Sequence, residues 1–519
     1  MLKSLVRRIC PSGVFMAFLL GIVGGVVVSS FLRISFFSSV YWVAFVFLAL
    51  SFAIWRPNYL LMVVMLVVGA VLGSFRVSGE SSERARLEQL VDRNITISGV
   101  VVGDPDFEEE NGRIKLSSLN YNGENIRGMI YLSGKLDHNI RRDDRLTISG
   151  KMSSGFGGFV GSFYQPKLIE IKRAENPSFL IKFRDGFSES VKGMFGESER
   201  EANLGLSYLL GLRTGLDKEL AEILSLVGLT HIVVASGTHL GILVEVFRKI
   251  FGKISRFSGM YFGILFILLF GEMIGWTASI TRAAIVAILG ILGWYVGRKF
   301  EGWRIILIAM AATLLINPMN LVDLGWLLSF GSFIGIMILA PSLTEFFYGK
   351  QVGISRKKPS VIAEIILATV SATLMCAPIL LFYFGSISLI SVVANLLILP
   401  TIPFAIGLTF LTGLVGYLPG FLGGLKWAVV KITTILLNYH IAAMTFFSKQ
   451  TSFLIQIPKG DYRVFFLYIP ILLPFIVGSF VRARNSRKMT KKIRENPEKY
   501  MRLTVKKEGH ARQILHHSH

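Results

Sequence analysis

The chain has 519 residues, 52% hydrophobic and 17% charged, and its 55 Lys and Arg against 33 Asp and Glu give a net charge of +22. Its mean hydropathy is +0.58. This length could hold about three or four soluble domains, but so apolar a chain could not cover a soluble surface with polar groups. The only cysteines are Cys10 and Cys376, which excludes a disulfide framework and a Cys-based zinc site.

The chain opens with Lys3, Arg7 and Arg8, followed by an apolar run from Pro11 to Leu32. That run is longer than a signal-peptide core, and two further apolar blocks follow at Val40–Trp55 and Tyr59–Phe75. The pattern predicts an uncleaved anchor and three spans, with the basic start and Arg56 inside and the next segment delivered outside.

That segment, about Arg76 to Arg173, is polar and punctuated by glycine. Alternating runs at Ile95–Ser98, Arg113–Leu116, Gly128–Tyr131, Arg145–Ile148 and Leu168–Ile171 predict strands, and Asn111-Gly112 and Asn122-Gly123 predict turns. About five short strands in this length suggest a small barrel such as an OB-fold, with a generic β-sandwich as the alternative.

After Pro177 an amphipathic stretch leads to Tyr208–Leu212, and Thr214 is expected to cap a helix over Lys218–Leu229. Further spans are predicted at Ser258–Gly275, Ile280–Val296, Arg304–Ile316, Leu321–Ala340, Val361–Phe384, Leu389–Val415, Phe421–Phe447 and Phe465–Val481. Basic loops at Lys253/Arg256, Arg298/Lys299 and Arg356–Lys358 alternate with less basic ones. Pro400 and Pro403 interrupt the Leu389–Val415 block, which is read as one broken span because that count leaves the basic tail after Phe480 inside. That tail is read as a topology anchor beside anionic lipid, with nucleic-acid or partner contact as the alternative. The expected fold class is a polytopic α-helical membrane protein with an inserted extracytoplasmic small β-barrel (OB-like) domain. Its divisions are residues 1–76 (three spans), 77–176 (barrel), 177–482 (channel domain with amphipathic segments) and 483–519 (basic tail).

Ionisable and polar groups inside apolar blocks are functional candidates because they are costly there. They are His231, Ser236 and His239, with Glu272, Arg282, Asp323, Asn395 and His440. Ser236 and His239 share a helix face, and Gly237 and Gly241 would loosen that helix. Four readings stay open. A Ser–His hydrolase lacks a G-x-S-x-G elbow and an acidic orienter. A metal site lacks a third ligand. A polar constriction on an aqueous path fits a broken helix, and plain helix–helix contact fits small polar residues. Arg282, after Trp276-Thr-Ala-Ser-Ile-Thr281, is either snorkelling to the interface or a phosphate contact. No G-x-x-x-x-G-K-[ST], H-x-H-x-D-H or H-E-x-x-H occurs, so neither a nucleotide motor nor a hydrolytic metal centre is expected, and no cofactor is.

Leu209-Leu-Gly-Leu-Arg-Thr-Gly-Leu216 followed by Gly228–Leu243, with its Ser236-Gly237-Thr238-His239 core, resembles the signature of the ComEC family. Trp276–Ala284, Asn317-Pro318 with Leu328-Ser-Phe330, and Phe384–Ser391 with Asn395 and Pro400 resemble that family's later motifs in the same order. The resemblance implies an inner-membrane channel for DNA uptake in natural transformation, with an OB-like outer domain and a path for one DNA strand. It implies His231, Ser236, Gly237, His239, Arg213, Trp276, Arg282, Asn395 and Pro400 along that path. The outer-domain DNA contacts expected of an OB surface are Arg113, Lys115, Tyr121, Arg127 and Tyr131, with ordinary barrel surface as the alternative. Expected partners are single-stranded DNA, membrane lipids, a periplasmic or surface DNA receptor, a cytoplasmic helicase-like motor and single-strand-binding proteins. Many members end in a metallo-β-lactamase-like domain, whereas this sequence ends in a basic tail without that metal motif, so a separate nuclease is expected. Gly161-Ser-Phe-Tyr164 also lacks the Asp of the family's G-x-F-D-Y stretch. The chain is therefore expected to be a plasma-membrane channel rather than an enzyme, with both termini cytoplasmic. A Ser/His membrane hydrolase and a transporter of another polyanion are the alternatives.

Overall fold

A computed structural model describes residues 11–32, 60–108, 111–137, 139–156, 158–174, 178–212, 215–230, 240–241, 244, 249, 252–253, 255–297, 301–348, 359–450, 454–466, 468–470, 473–474 and 478. Eight of the described helices are long and apolar enough to cross a membrane, so the chain is a polytopic membrane protein. It divides into two compact units, Met1–Phe330 with Leu397–Thr451 and Gly331–Leu396 with Ser452–His519.

In the first unit, α1 (Pro11–Leu32) packs along α2 (Leu60–Glu88); the expected span at Val40–Trp55 lies outside the described residues. The pairing rests on glycines spaced four apart in both helices. A Cβ on Gly21 would fall on the Leu66 carbonyl oxygen, and one on Gly25 on that of Ala70. Gly69 and Gly73 stand in the same relation to Phe18 and Ile22. Lipid tails give no hydrophobic drive between helices, so close backbone approach through small residues supplies the attraction. The Ser74 hydroxyl adds a bond to the Gly25 carbonyl at 3.2 Å. Helix α2 does not stop at the expected boundary near residue 76. It continues to Glu88, and Leu87 is fully buried in the core of the β domain.

That domain has β1 (Asn94–Val101), β2 (Asp106–Glu108), β3 (Asn111–Tyr121), β4 (Glu124–Ile126), β5 (Ile130–Gly134), β6 (Arg145–Ser154), β7 (Gly161–Tyr164) and β8 (Lys167–Lys172). Five strands close in the order β1-β3-β5-β7-β6, with β6 returning to β1. Every pairing is antiparallel except β5 with β7. This is an OB-type barrel rather than a sandwich. Alternation fills it: Ile95, Ile97, Ile114, Leu116, Ile130, Leu132, Leu146, Ile148 and Phe163 point inward. At Asn122-Gly123, φ values of 50° and 86° make the expected two-residue turn, with Tyr121 opposite Glu124. Asn111-Gly112 differs from expectation, because both residues begin β3, opposite Glu108 and Phe107. The Phe107 ring lies where a Gly112 Cβ would be, at 2.9 Å, so the glycine serves packing rather than a turn.

Beyond the barrel come α3 (Phe179–Phe195), α4 (Glu199–Leu210) and α5 (Lys218–Leu226). The cap of α5 is Asp217, whose carboxylate accepts from Leu220 N at 2.6 Å, not the expected Thr214, which lies outside the described residues. Then follow α6 (Arg256–Ile274), α7 (Ala278–Val296), α8 (Gly302–Ile316), a 3-10 turn at Pro318–Val322 and α9 (Leu324–Tyr348). Helix α8, expected as a span, has 15 residues and is only about 22 Å long at 1.5 Å per residue. The expected broken span is α11 (Ile390–Ile398), a 3-10 turn at Leu399–Thr401 and α12 (Ile402–Gly416). Helix α13 (Gly423–Ser448) returns beside α12.

The second unit holds the later part of α9, then α10 (Val361–Phe384), β9 (Ser386–Ser388) and β10 (Leu454–Gln456). β9 and β10 pair antiparallel, and Ile387 packs with Ala377, Leu381 and Val464.

Adjacent glycines test the α1–α2 contact. Gly25→Leu should lower the unfolding midpoint of the purified protein by several degrees. Gly24→Leu, where an added Cβ meets nothing within 4 Å, should leave it unchanged.

Candidate nucleic-acid interface and membrane path

Three arginines bind the barrel end of the first unit to helix C-termini. The last four carbonyls of a helix lack partners within it and carry the negative end of its dipole, so a guanidinium fork suits them. Arg76 in α2 donates to the Leu315 and Ile316 carbonyls at the end of α8, both at 2.9 Å. Arg142, in the β5–β6 connection, donates to the Met273 and Glu272 carbonyls at the end of α6, both at 3.2 Å. Arg184 in α3 donates to Asp104 of the barrel at 2.8 Å, to Met273 O at 3.4 Å and to Asp185 at 2.7 Å. Arg184 is 5% exposed. Burial works against its charge, but Asp104 and Asp185 more than offset this and hold its pKa above the ordinary value.

The barrel face carried by β3, β5 and β7 gathers some of the expected DNA contacts. Lys115 sits opposite Tyr131, which sits beside Ser162, and Arg113 opposite Ser133, which sits beside Tyr164. Alternation turns all of these outward, and Tyr164 is 72% exposed. Asp106 faces Arg113 across the β2–β3 pair. Tyr131 meets Phe156 and Phe159 of the β6–β7 loop, with ring centroids 5.2 and 5.3 Å away. Tyr121 does not join this face, because its ring packs against the barrel core. Arg127 is exposed after β4.

In the membrane part, Trp276 follows α6, and its ring lies on Gly271, where any side chain would displace it. Arg282, in the second turn of α7, is 6% exposed and lies over the Phe330 ring at 5.9 Å. That buried position with an aromatic neighbour differs from snorkelling to an interface. Pro400 is exposed, within the 3-10 break. Asn395, in the second unit, is 6% exposed, and its Oδ1 finds no hydrogen-bond partner among the described residues. Arg213, His231, Ser236, Gly237 and His239 lie outside the described residues. Among the described residues no group of three or more His, Cys, Asp and Glu side chains comes together as a metal site.

His440 of α13 belongs to the helix break and was not among the residues expected along the path. It is fully buried, and its Nε2 lies 2.7 Å from the Thr401 hydroxyl. The same hydroxyl lies 2.7 Å from Ile398 O, and with its proton on that carbonyl it accepts from His440 Nε2–H. The break is thereby tied to α13, with the Tyr208 ring edge-on to His440 at 5.6 Å.

The family profile described as "Competence protein" matches residues 208–481, a stretch that runs from the end of α4 through the helix break to the last apolar block. The chain belongs to this family. A curated relative, "ComE operon protein 3" of Bacillus subtilis (strain 168), is 28% identical over 204 residues, 38% of this chain and 24% of that protein's length. The chain thus aligns with about a quarter of that relative. No solved structure matches the chain.

Removing the Arg184 guanidinium strands Asp104. Arg184→Met should destabilise the purified protein by about 3 kcal/mol, as for a broken buried ion pair. Adding Asp104→Asn should recover part of that loss in a double-mutant cycle followed by thermal unfolding.

Proposed function

We propose that this chain conveys one strand of DNA across the plasma membrane during competence, with the barrel outside and both termini in the cytoplasm. The observation that carries the reading is the match of residues 208–481 to the competence family. The closed OB-type barrel supports it, because such barrels bind oligonucleotides on the face where Lys115 and Tyr131 lie.

Charge supports the barrel's proposed side. Helix α6 starts at Arg256 and ends under Arg142, and α7 leaves from Ala278 and ends at Val296, just before Arg298 and Lys299. Arg256 and the end of α7 at Val296 stand at the helix ends away from Arg142, so positive-inside bias supports a barrel on the outside.

Within the membrane, Arg282 is the cation of the path, and its fixed guanidinium meets passing phosphates. The membrane part acts as a conduit rather than an enzyme. Motive force comes from a cytoplasmic helicase-like motor or from strand capture by single-strand-binding proteins.

The test is uptake of labelled duplex DNA by competent cells. Cells lacking the protein should hold no nuclease-protected label inside, and Arg282→Gln should lower it at least about tenfold, the effect of losing roughly 1.4 kcal/mol. Unchanged uptake without the protein would overturn the reading. Loss of a hydrolytic activity in Ser236→Ala with uptake intact would favour a membrane hydrolase instead.

A further inference from the structure

From the outer face of the barrel we infer that Tyr131, Phe156 and Phe159 form a stacking platform for unpaired bases, with Lys115 holding the adjoining phosphate. The inference rests on the single-strand reading above and gives it a specific first contact.

The three rings form a closed triangle. Their centroids are 5.2 Å apart for Tyr131 and Phe156, 5.3 Å for Tyr131 and Phe159, and 5.4 Å for Phe156 and Phe159. Aromatic rings in this geometry are usually buried, since such a cluster gains most from exclusion of water. Here it lies on the outward side of β5 and in a loop, and Phe156 is 53% exposed. An exposed apolar cluster on a water-facing domain marks a binding surface.

Two features select the ligand. First, Lys115 stands directly across from Tyr131, and Ser162 lies beside Tyr131 on the other flank. A cation and a hydroxyl therefore flank the aromatic surface in strand register. Apolar rings beside a phosphate-seeking cation match a flexible strand with accessible bases, whereas the faces of bases in a duplex are stacked inside it. Second, the loop is tied to the barrel and lies near a membrane-helix turn. Phe159 N donates to Phe156 O at 3.0 Å and Val160 N to Met129 O at 2.8 Å, and a Cβ on Gly158 would come within 3.9 Å of the Met319 carbonyl. Met319 lies in the 3-10 turn between α8 and α9. The platform thus stands where the barrel meets the membrane helices, and a base stacked there is next to the start of the path.

The experiment measures binding of fluorescent oligo-dT to the purified full chain by anisotropy, across a salt series. Phe156→Leu keeps the apolar bulk and removes the π face, so affinity should fall about tenfold, whereas Phe156→Trp should retain it. Lys115→Ala should reduce the slope of log affinity against log salt by about 0.7, the value for one single-strand phosphate. Equal affinity in Phe156→Leu and the parent overturns the platform. So does a Phe156→Leu defect confined to association with phosphatidylcholine vesicles, which would make the rings a lipid anchor. Oligo-dT binding that depends on Phe156, in a protein whose loss leaves cellular uptake unchanged, would sink the transport reading while the platform stands. Uptake that needs the protein without any dependence on Phe156 would do the reverse.

Discussion

A guanidinium meeting the open end of a helix is the contact on which the arrangement of the first unit depends. An OB-type barrel built on the end of a membrane helix would otherwise be joined to the rest mainly by chain connections. Arg142 and Arg184 both reach the Met273 carbonyl, one from the barrel itself and one from α3. Arg76 does the same for α8 from within α2. Each contact satisfies carbonyls that have no partner inside their own helix, and each places positive charge at a negative dipole end. Because α2 runs unbroken from the glycine contacts of the membrane to Leu87 in the barrel core, position is transmitted along a rigid rod.

That rigidity also fixes the barrel face that carries Lys115 and Tyr131. On the proposed reading, rings beside Met319 offer a strand one place to stack, next to the turn that follows α8. Lys115 and Tyr131 are fixed in register by β3–β5 pairing, and the loop bearing Phe156 and Phe159 is tied by its own backbone bond. Farther along, the membrane part spends polar groups sparingly. The His440–Thr401 bond closes the break around Pro400, and the Thr412 and Thr433 hydroxyls meet at 3.0 Å between α12 and α13. Arg282 is buried, with the Phe330 ring 5.9 Å from its guanidinium.

Much of the fold was legible because period alone carries it. Alternation located β1, β3, β5, β6 and β8, and apolar length located the eight long helices but also counted α8, which is too short. β7 was missed because Gly161-Ser-Phe-Tyr164 is four residues long, with only Phe163 as a fully buried large side chain. Its parallel pairing with β5, which fixes the OB topology, is long-range and leaves no local trace. The break at Pro400 was legible from proline chemistry, but its tie to His440 spans 39 residues. Nothing local in the amphipathic stretch after Pro177 marks Arg184, and only the folded chain brings Asp104 to it from 80 residues away. A signal for α1–α2 packing was present in Gly21/Gly25 and Gly69/Gly73. Of the outer-domain residues, Lys115 and Tyr131 were placed together by register, while Phe156 and Phe159 lie in a loop whose pattern says nothing of a surface.

The central claim is that this chain itself gives a single strand a way through a bilayer. The most direct measurement reconstitutes the purified protein in sealed vesicles that enclose a single-strand-binding protein, with labelled oligonucleotide added outside. The account predicts label that becomes protected from external nuclease and accumulates with time only in vesicles containing the chain. Protection no greater than in protein-free vesicles, with the chain folded and binding oligonucleotide at its barrel, would contradict it.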